Sequence, residues 1–124
     1  MRRVAVLVLL VLLPLTAGCQ SNNKGKLEGT SWTSDPGKVK GTPVPEGFLK
    51  VNFLADGHLV LRGGGKHFNG TYSLGPGHMV SMHLDKELAG YTSFMETIVV
   101  EGKRMTMTDL DGTEIAFQQR NQEK

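Results

Sequence analysis

The fold is decided by residues 51–61, which read VNFLADGHLVL. Apolar and polar side chains alternate on both sides of Asp56-Gly57, and this two-residue period is typical of a half-buried β-strand. A short loop with Gly57 in the left-handed conformation would join two such strands and place Leu54 opposite His58. The stretch therefore predicts a β-hairpin with one apolar face. That face carries Val51, Phe53, Leu59 and Leu61.

Alternating segments of this kind recur through the rest of the chain, separated by turns rich in glycine. Turns at residues 75–77, 102–103 and 109–113 set the register of three further hairpins. The predicted cross-strand pairs are Tyr72 with Val80, Ile98 with Met107, Val100 with Met105, and Met107 with Ile115. All four hairpins place their apolar side chains on one face, and this agreement between local patterns supports a single sheet.

The spacing of the turns predicts an all-β fold with eight strands. Their ranges are about 27–33, 48–54, 58–62, 67–74, 78–84, 92–100, 104–109 and 113–119. Residues 34–46 contain Pro36, Pro43 and Pro45 and are predicted to form a long irregular loop. Mostly sequential antiparallel strands indicate a small eight-stranded antiparallel up-and-down barrel, because closure removes exposed sheet edges.

The inward side chains of this barrel should nearly fill it, since an eight-stranded barrel has room for side chains or for one small ligand. A packed barrel that binds through its surface or loops is therefore favoured over a spacious ligand cage. The side chains predicted to face inward are Trp32, Val51, Phe53, Leu59, Leu61, Phe68, Tyr72, Val80, Met82, Leu84, Phe94, Ile98, Val100, Met105, Met107, Ile115 and Phe117.

The first 18 residues have the order of a secretory signal: basic, then apolar, then small. The apolar run over 4–15 is too short for a transmembrane helix, which needs about 20 residues. Cys19 follows it and is the only cysteine, so it cannot form an internal disulfide. Residues 15–19, Leu-Thr-Ala-Gly-Cys, resemble the lipobox of bacterial lipoproteins. The resemblance implies that residues 1–18 are removed and that Cys19 is lipidated.

Short motifs in the remainder resemble the small lipocalin-like (calycin-type) lipoproteins of bacteria. These motifs are Gly29-Thr30-Ser31-Trp32, residues 53–57, residues 70–72 and residues 109–112. The resemblance implies a barrel in which a basic residue of the last strand, here Arg120, covers Trp32. The alternative is that Arg120 is solvated. The predicted organisation is a lipidated flexible tether over 19–26, the barrel over 27–120 and a polar tail over 121–124.

Two inward-facing polar side chains are candidate ligand-binding residues. Alternation places Glu96 on the same face as Phe94 and Ile98, and a buried carboxylate is costly unless it is paired. Glu96 could therefore contact a ligand, or it could lie at a bulge or at the barrel mouth. Tyr72 is the second candidate.

The histidines and serines suggest no catalytic or metal site. The predicted register makes His67 and His83 diagonal neighbours on the outer face, but two imidazoles and one carboxylate, Asp85, fall short of a closed metal site. Ser81, His83 and Asp85 follow one another at roughly 6.5–7 Å along one strand, too far apart for a triad. We therefore predict no metal, no cofactor and no catalytic residue, and hence a protein that is not an enzyme.

Charge and anchor together indicate the class of function. Loss of Arg2 and Arg3 with the signal leaves equal numbers of basic and acidic residues, so nothing favours nucleic acid as a partner. We predict a monomeric, membrane-anchored envelope lipoprotein that is a non-enzymatic binding module for a protein partner. The alternative is a lipocalin-type carrier of a small apolar ligand. In a cell with two membranes, Gln20 after the cysteine favours the periplasmic face of the outer membrane.

Overall fold

A computed structural model describes residues 21–39 and 41–121. These residues form β-strands of three to eleven residues and a single 3-10 turn, at Ala55–Gly57. The strands are β1 (Thr30–Ser34), β2 (Gly37–Val39), β3 (Thr42–Val44), β4 (Leu49–Phe53), β5 (His58–Gly63), β6 (Lys66–Leu74), β7 (Met79–Leu88), β8 (Tyr91–Glu101), β9 (Arg104–Thr108) and β10 (Glu114–Arg120). In these two described ranges, no helix is long and apolar enough to cross a membrane.

Eight strands close into a barrel in the order β1-β10-β9-β8-β7-β6-β5-β4. All neighbours are antiparallel, and β1 completes the ring because it pairs with β10 on one side and with β4 on the other. The predicted all-β, eight-stranded antiparallel barrel is confirmed. The long loop before β4 differs from the prediction, because β2 and β3 form a separate two-stranded hairpin inside it.

Three of the four predicted hairpin registers are confirmed. Phe53 lies opposite Leu59, and Met107 lies opposite both Ile98 and Ile115. Asp56 and Gly57 both have positive φ, at 61° and 75°, which lets the β4–β5 turn close tightly.

The predicted register of the β6–β7 hairpin is wrong by two residues. Tyr72 lies opposite Met82 instead of Val80. The amide of Gly75 donates to the carbonyl of Met79 at 2.8 Å, so the loop begins one residue later than predicted. A shift of two residues leaves every side chain on its predicted face, since side chains alternate with a period of two.

The core consists of the side chains predicted to face inward, and all of them belong to one hydrophobic cluster. Leu27, Leu49 and Leu88 also join the cluster, although they were not predicted to do so. The largest fully buried side chains are Trp32, Phe53, Phe68 and Phe117.

Arg120 does not cover Trp32, so the closure implied by the lipocalin resemblance is wrong at this point. Arg120 lies opposite Ser31 on β1, whereas Trp32 lies opposite Gln119. Because neighbouring positions on a strand face opposite sides, Arg120 is on the outer face, where it is exposed. The indole N–H of Trp32 instead donates to the hydroxyl of Thr30 at 2.7 Å.

The segment before β1 packs across one end of the barrel. The amide of Asn22 donates to the carbonyl of Gly77 at 2.8 Å, and the side-chain amide of Asn23 donates to the carbonyl of Ile98 at 3.0 Å. Asn23 and Leu27 are fully buried. The flexible tether predicted for 19–26 is therefore corrected at residues 21–23, which are hydrogen-bonded to the barrel.

The alternation of strand direction gives the barrel two ends. We call the end that carries residues 21–27 the N-terminal end; the β4–β5, β6–β7 and β8–β9 turns lie there too. The far end carries the loop over 35–48 and the β5–β6, β7–β8 and β9–β10 turns.

Candidate functional site

The barrel wall is less complete where a long strand borders a short one. The last residue pair between β8 and β9 is Thr97 with Thr108. The six residues of β8 that precede Thr97 have no partner on β9. Next to this gap, Tyr72, Met82 and Phe94 form a cross-strand row on the inner face of β6, β7 and β8. These three side chains are only partly buried, although they pack against the core.

A solvent-open cleft of about 380 Å³ follows this row. Tyr72, Met82 and Phe94 line it, and Leu110 reaches it from the β9–β10 turn. Outer-face residues of the same three strands complete the lining, among them His83 and Ser93. A volume of this size falls within the range of roughly 300–1,000 Å³ that is usual for ligand sites. We call it the apolar cleft.

Tyr72 is held at the apolar cleft by a ring contact with the core. Its ring meets that of Phe53 edge to face, with centroids 5.0 Å apart and an interplanar angle of 75°. Burial raises the pKa of the Tyr72 hydroxyl, and the negative charge of Glu28 raises it further. The hydroxyl therefore stays protonated at neutral pH, so it can donate a hydrogen bond.

Glu96 lies on the inner face of β8, at the position expected from the alternation of the strand. It is opposite the fully buried Val80, one inner-face position beyond Phe94. The irregularity in β7–β8 pairing falls between His83 and Leu88, so Glu96 is not at that bulge. Glu96 does not line the apolar cleft. The structure thus places Tyr72 in the cleft and Glu96 beside it.

Burial raises the pKa of Glu96 to about 7, and the nearby charges of Asp109 and Asp111 add to the effect. Those aspartates stabilise the β9–β10 turn. Asp109 Oδ1 accepts from the amides of Asp111 and Thr113, at 3.1 and 2.9 Å. Glu96 is therefore an inward carboxyl with a pKa near neutral pH.

The corrected register separates the two histidines that were predicted to be diagonal neighbours. His83 lies opposite Thr71, four residues from His67 along β6, which corresponds to roughly 13 Å. Across residues 21–39 and 41–121, no group of three or more His, Cys, Asp or Glu side chains is placed to hold a metal ion.

A serine and a histidine do meet across β7 and β8. His83 Nδ1 lies 3.0 Å from Ser93 Oγ, on the exposed outer face. A hydrolytic pair needs a third group that orients the imidazole. None of the described carboxylates contacts the other ring nitrogen of His83.

A second cleft, also of about 380 Å³, lies at the β5–β6 turn and was not predicted. Lys50, Arg62, Lys66 and His67 contribute to its lining. A sequence signal existed, because the alternation in β4, β5 and β6 puts Lys50, Arg62 and His67 on one face.

The described part of the chain is thus a small closed antiparallel barrel with two clefts on its surface. No family model, no curated protein and no solved structure was found to match this chain. The predicted lipidation site, Cys19, lies outside the described residues.

Proposed function

We propose that this chain is a lipid-anchored lipoprotein of the bacterial cell envelope and a non-enzymatic binding module for a protein partner. The supporting observation is the position of its exposed apolar side chains. Of the five large apolar side chains that are exposed in the described residues, Phe48, Tyr91 and Leu110 lie at the far end and are 41%, 68% and 80% exposed, whereas Leu74, at the N-terminal end, is 38% exposed. Large apolar and aromatic side chains are typical anchors of protein interfaces.

The packing of the N-terminal segment gives this proposal a direction. Lipid on Cys19 would be separated from Ser21 by Gln20 alone, and residues from Ser21 onward contact the barrel. The N-terminal end would then face the bilayer, and the far end would face away from it. Two or three acyl chains are enough for stable anchoring.

A carrier of a small apolar ligand is the second candidate, and the apolar cleft favours it. Phe94 and Met82 offer an apolar wall, and the protonated hydroxyl of Tyr72 offers one directional contact. Glu96 would act at the edge of such a site. Against this candidate, side chains already occupy the centre of the barrel.

Site-specific photo-crosslinking in living cells tests the leading proposal. A photoreactive residue at Leu110 or Tyr91 should give a discrete cross-linked product containing a second envelope protein. The control is the same photoreactive residue at Lys103, which is also exposed but lies at the N-terminal end. No product from either far-end position, or the same product from Lys103, would rule out far-end binding. A lipid-like molecule that co-purifies with the protein at an equimolar ratio, and that is lost in Phe94→Ala, would favour the carrier function instead.

Mass spectrometry of the membrane-extracted protein tests the anchor. We expect a mature chain that begins at Cys19 and carries diacyl or triacyl lipid. Cys19→Ser should block processing, so the chain should retain Met1. An unmodified mature chain that begins at another residue would exclude lipid anchoring.

A further inference from the structure

Two cationic side chains and an imidazole form a row across the outer face of β4, β5 and β6. Lys50 lies directly opposite Arg62, and Arg62 lies directly opposite His67. Like charges at directly opposite positions destabilise a sheet. Two permanent cations and an imidazole are therefore placed together at a cost to stability, on a surface that plays no part in core packing.

The row borders the second cleft, which we call the basic cleft. The cleft has a volume of about 380 Å³, and Lys66 adds a further cation to its lining. Its remaining lining includes the Gly63-Gly64-Gly65 turn and Phe48. Gly64 and Gly65 have φ of 57° and 81°, which suits a tight two-residue turn. A Cβ at Gly65 would meet nothing within 4 Å, so a small anion can approach the backbone there.

None of these cations is neutralised by a neighbour within the described part of the chain. The ion pair observed there joins Arg104 to Asp35 at 3.2 Å, on another part of the surface. Lys50, Arg62 and Lys66 make no ion pair with any described carboxylate. Their donors are therefore free to bind an anion supplied from outside.

We infer that the basic cleft binds the phosphate group of a small phosphorylated molecule. Phosphate suits the site because Arg62 can present two parallel N–H donors, while Lys50 and Lys66 supply point charges. The size of the cleft suits one phosphorylated group. The same chemistry occurs in a free phosphomonoester and in a phospholipid headgroup. The inference concerns a different surface from the apolar cleft and does not depend on the lipid anchor.

Amide chemical shifts of the isotope-labelled protein, isolated as the cell produces it, provide the test. Inorganic phosphate and glycerol 1-phosphate are titrated against chloride at equal ionic strength. We expect saturable shifts at residues 62–67 that chloride does not produce. Arg62→Gln should weaken binding about tenfold, the loss expected when one charged, bidentate contact is removed. Lys103→Gln, which removes an exposed cation at the other end, should leave binding unchanged.

Vesicle co-sedimentation then separates the two sources of phosphate. Acyl chains would bind the protein to any vesicle, so the measured quantity is the excess binding to phosphatidylcholine vesicles that contain phosphatidylglycerol over binding to pure phosphatidylcholine. An excess that is lost in Arg62→Gln but kept in Lys103→Gln would identify a lipid headgroup. Saturable binding of the soluble probes alone would identify a free phosphorylated molecule. No saturable shift with any probe and no phosphatidylglycerol-dependent excess in vesicle binding would overturn the inference, and so would equal weakening in Arg62→Gln and Lys103→Gln. Lys50→Gln replaces Arg62→Gln if the latter does not fold.

Discussion

The inside of the barrel is packed differently on its two sides. Around β1, β4 and β10, the inner side chains Trp32, Phe53 and Phe117 are completely buried. Near the gap left by β9, the row Tyr72, Met82 and Phe94 on β6, β7 and β8 remains partly exposed, although other inner side chains of these strands, such as Phe68 and Val80, are fully buried. We call these the closed side and the open side.

The difference in burial between the two groups of side chains affects both the stability of the fold and the access of outside molecules. A fully buried side chain contributes the transfer energy of its whole apolar area, and its removal also leaves a cavity. A partly exposed side chain contributes less, but an outside molecule can reach it. A residue of the closed side should therefore contribute more folding free energy than a residue of the partly exposed row, which can bind an outside molecule and can tolerate change.

The largest effect is expected on the closed side. Trp32→Ala should reduce the free energy of unfolding by about 3–5 kcal/mol, because it empties the volume of a buried indole. It also removes the indole donor to Thr30. Denaturant unfolding monitored by circular dichroism measures the loss.

Phe94→Ala is the matched substitution on the open side. We expect a smaller loss, about 1–2 kcal/mol, because the ring is only partly removed from water. Equal losses in the two variants would contradict the division into a closed and an open side.

An intermediate effect is expected at Gly70, where the inner face narrows between Leu59 and Leu84. A Cβ added at Gly70 would lie 2.3 Å from the carbonyl oxygen of His83, which is backbone and cannot turn away. Gly70→Ala should therefore cost about 1–3 kcal/mol through overpacking. Thermal unfolding of Gly70→Ala and of Gly37→Ala makes the comparison, since a Cβ at Gly37 meets nothing within 4 Å. A neutral Gly70→Ala would mean that β6 and β7 are further apart than described.

The smallest effect depends on pH and concerns Glu96 on the open side. The pKa of Glu96 rises from 4.5 to about 7 on folding. The folded protein therefore binds an extra proton between these values, and this residue makes it more stable as the pH falls from about 7 to 4.5. Above pH 7 the charged carboxylate bears the cost of burial. Glu96→Gln should thus be more stable than wild type at pH 8, by about 1 kcal/mol after allowance for solvent screening.

The difference in the free energy of unfolding between Glu96→Gln and wild type should shrink towards zero at pH 4.5, where the wild-type carboxyl is protonated in the folded state. Unfolding at both pH values, with Glu101→Gln as an exposed control on the same strand, measures this. A constant difference between wild type and Glu96→Gln at both pH values would show that burial does not perturb the carboxyl.

Much of the fold was predictable because turn residues fix the pairing of adjacent strands. Asp56-Gly57 and Asp111-Gly112 each join strands whose observed partners are those predicted. The Gly75-Pro76-Gly77 turn has two glycines, so the sequence allows more than one loop length, and the predicted register was off by two. The ordered position of Asn23 was also not predictable, since it depends on carbonyls of Ile98 and His78 that are distant in sequence.

The candidate sites were predictable only in part. Alternation was enough to put Glu96 and Tyr72 on the inner face, but the gap beside them arises from the unequal lengths of β8 and β9. The basic cleft was not predicted, because three consecutive glycines at residues 63–65 do not by themselves fix how the flanking strands pair. Residues 62–66 form the end of β5, a tight turn and the start of β6, so Arg62 and His67 face each other.

The pairing of β1 with both β4 and β10 has a consequence for the order in which the chain assembles. Every other barrel contact joins strands that follow one another in sequence, and such contacts form fast because little loop entropy is lost. Ser31, in contrast, must find Arg120 near the other terminus. We therefore expect the seam between β1 and β10 to form last, as the slow kinetic step. A chain that ends before Glu114 would retain a ladder from β1 to β9 with two unpaired edges, a form prone to association with other chains.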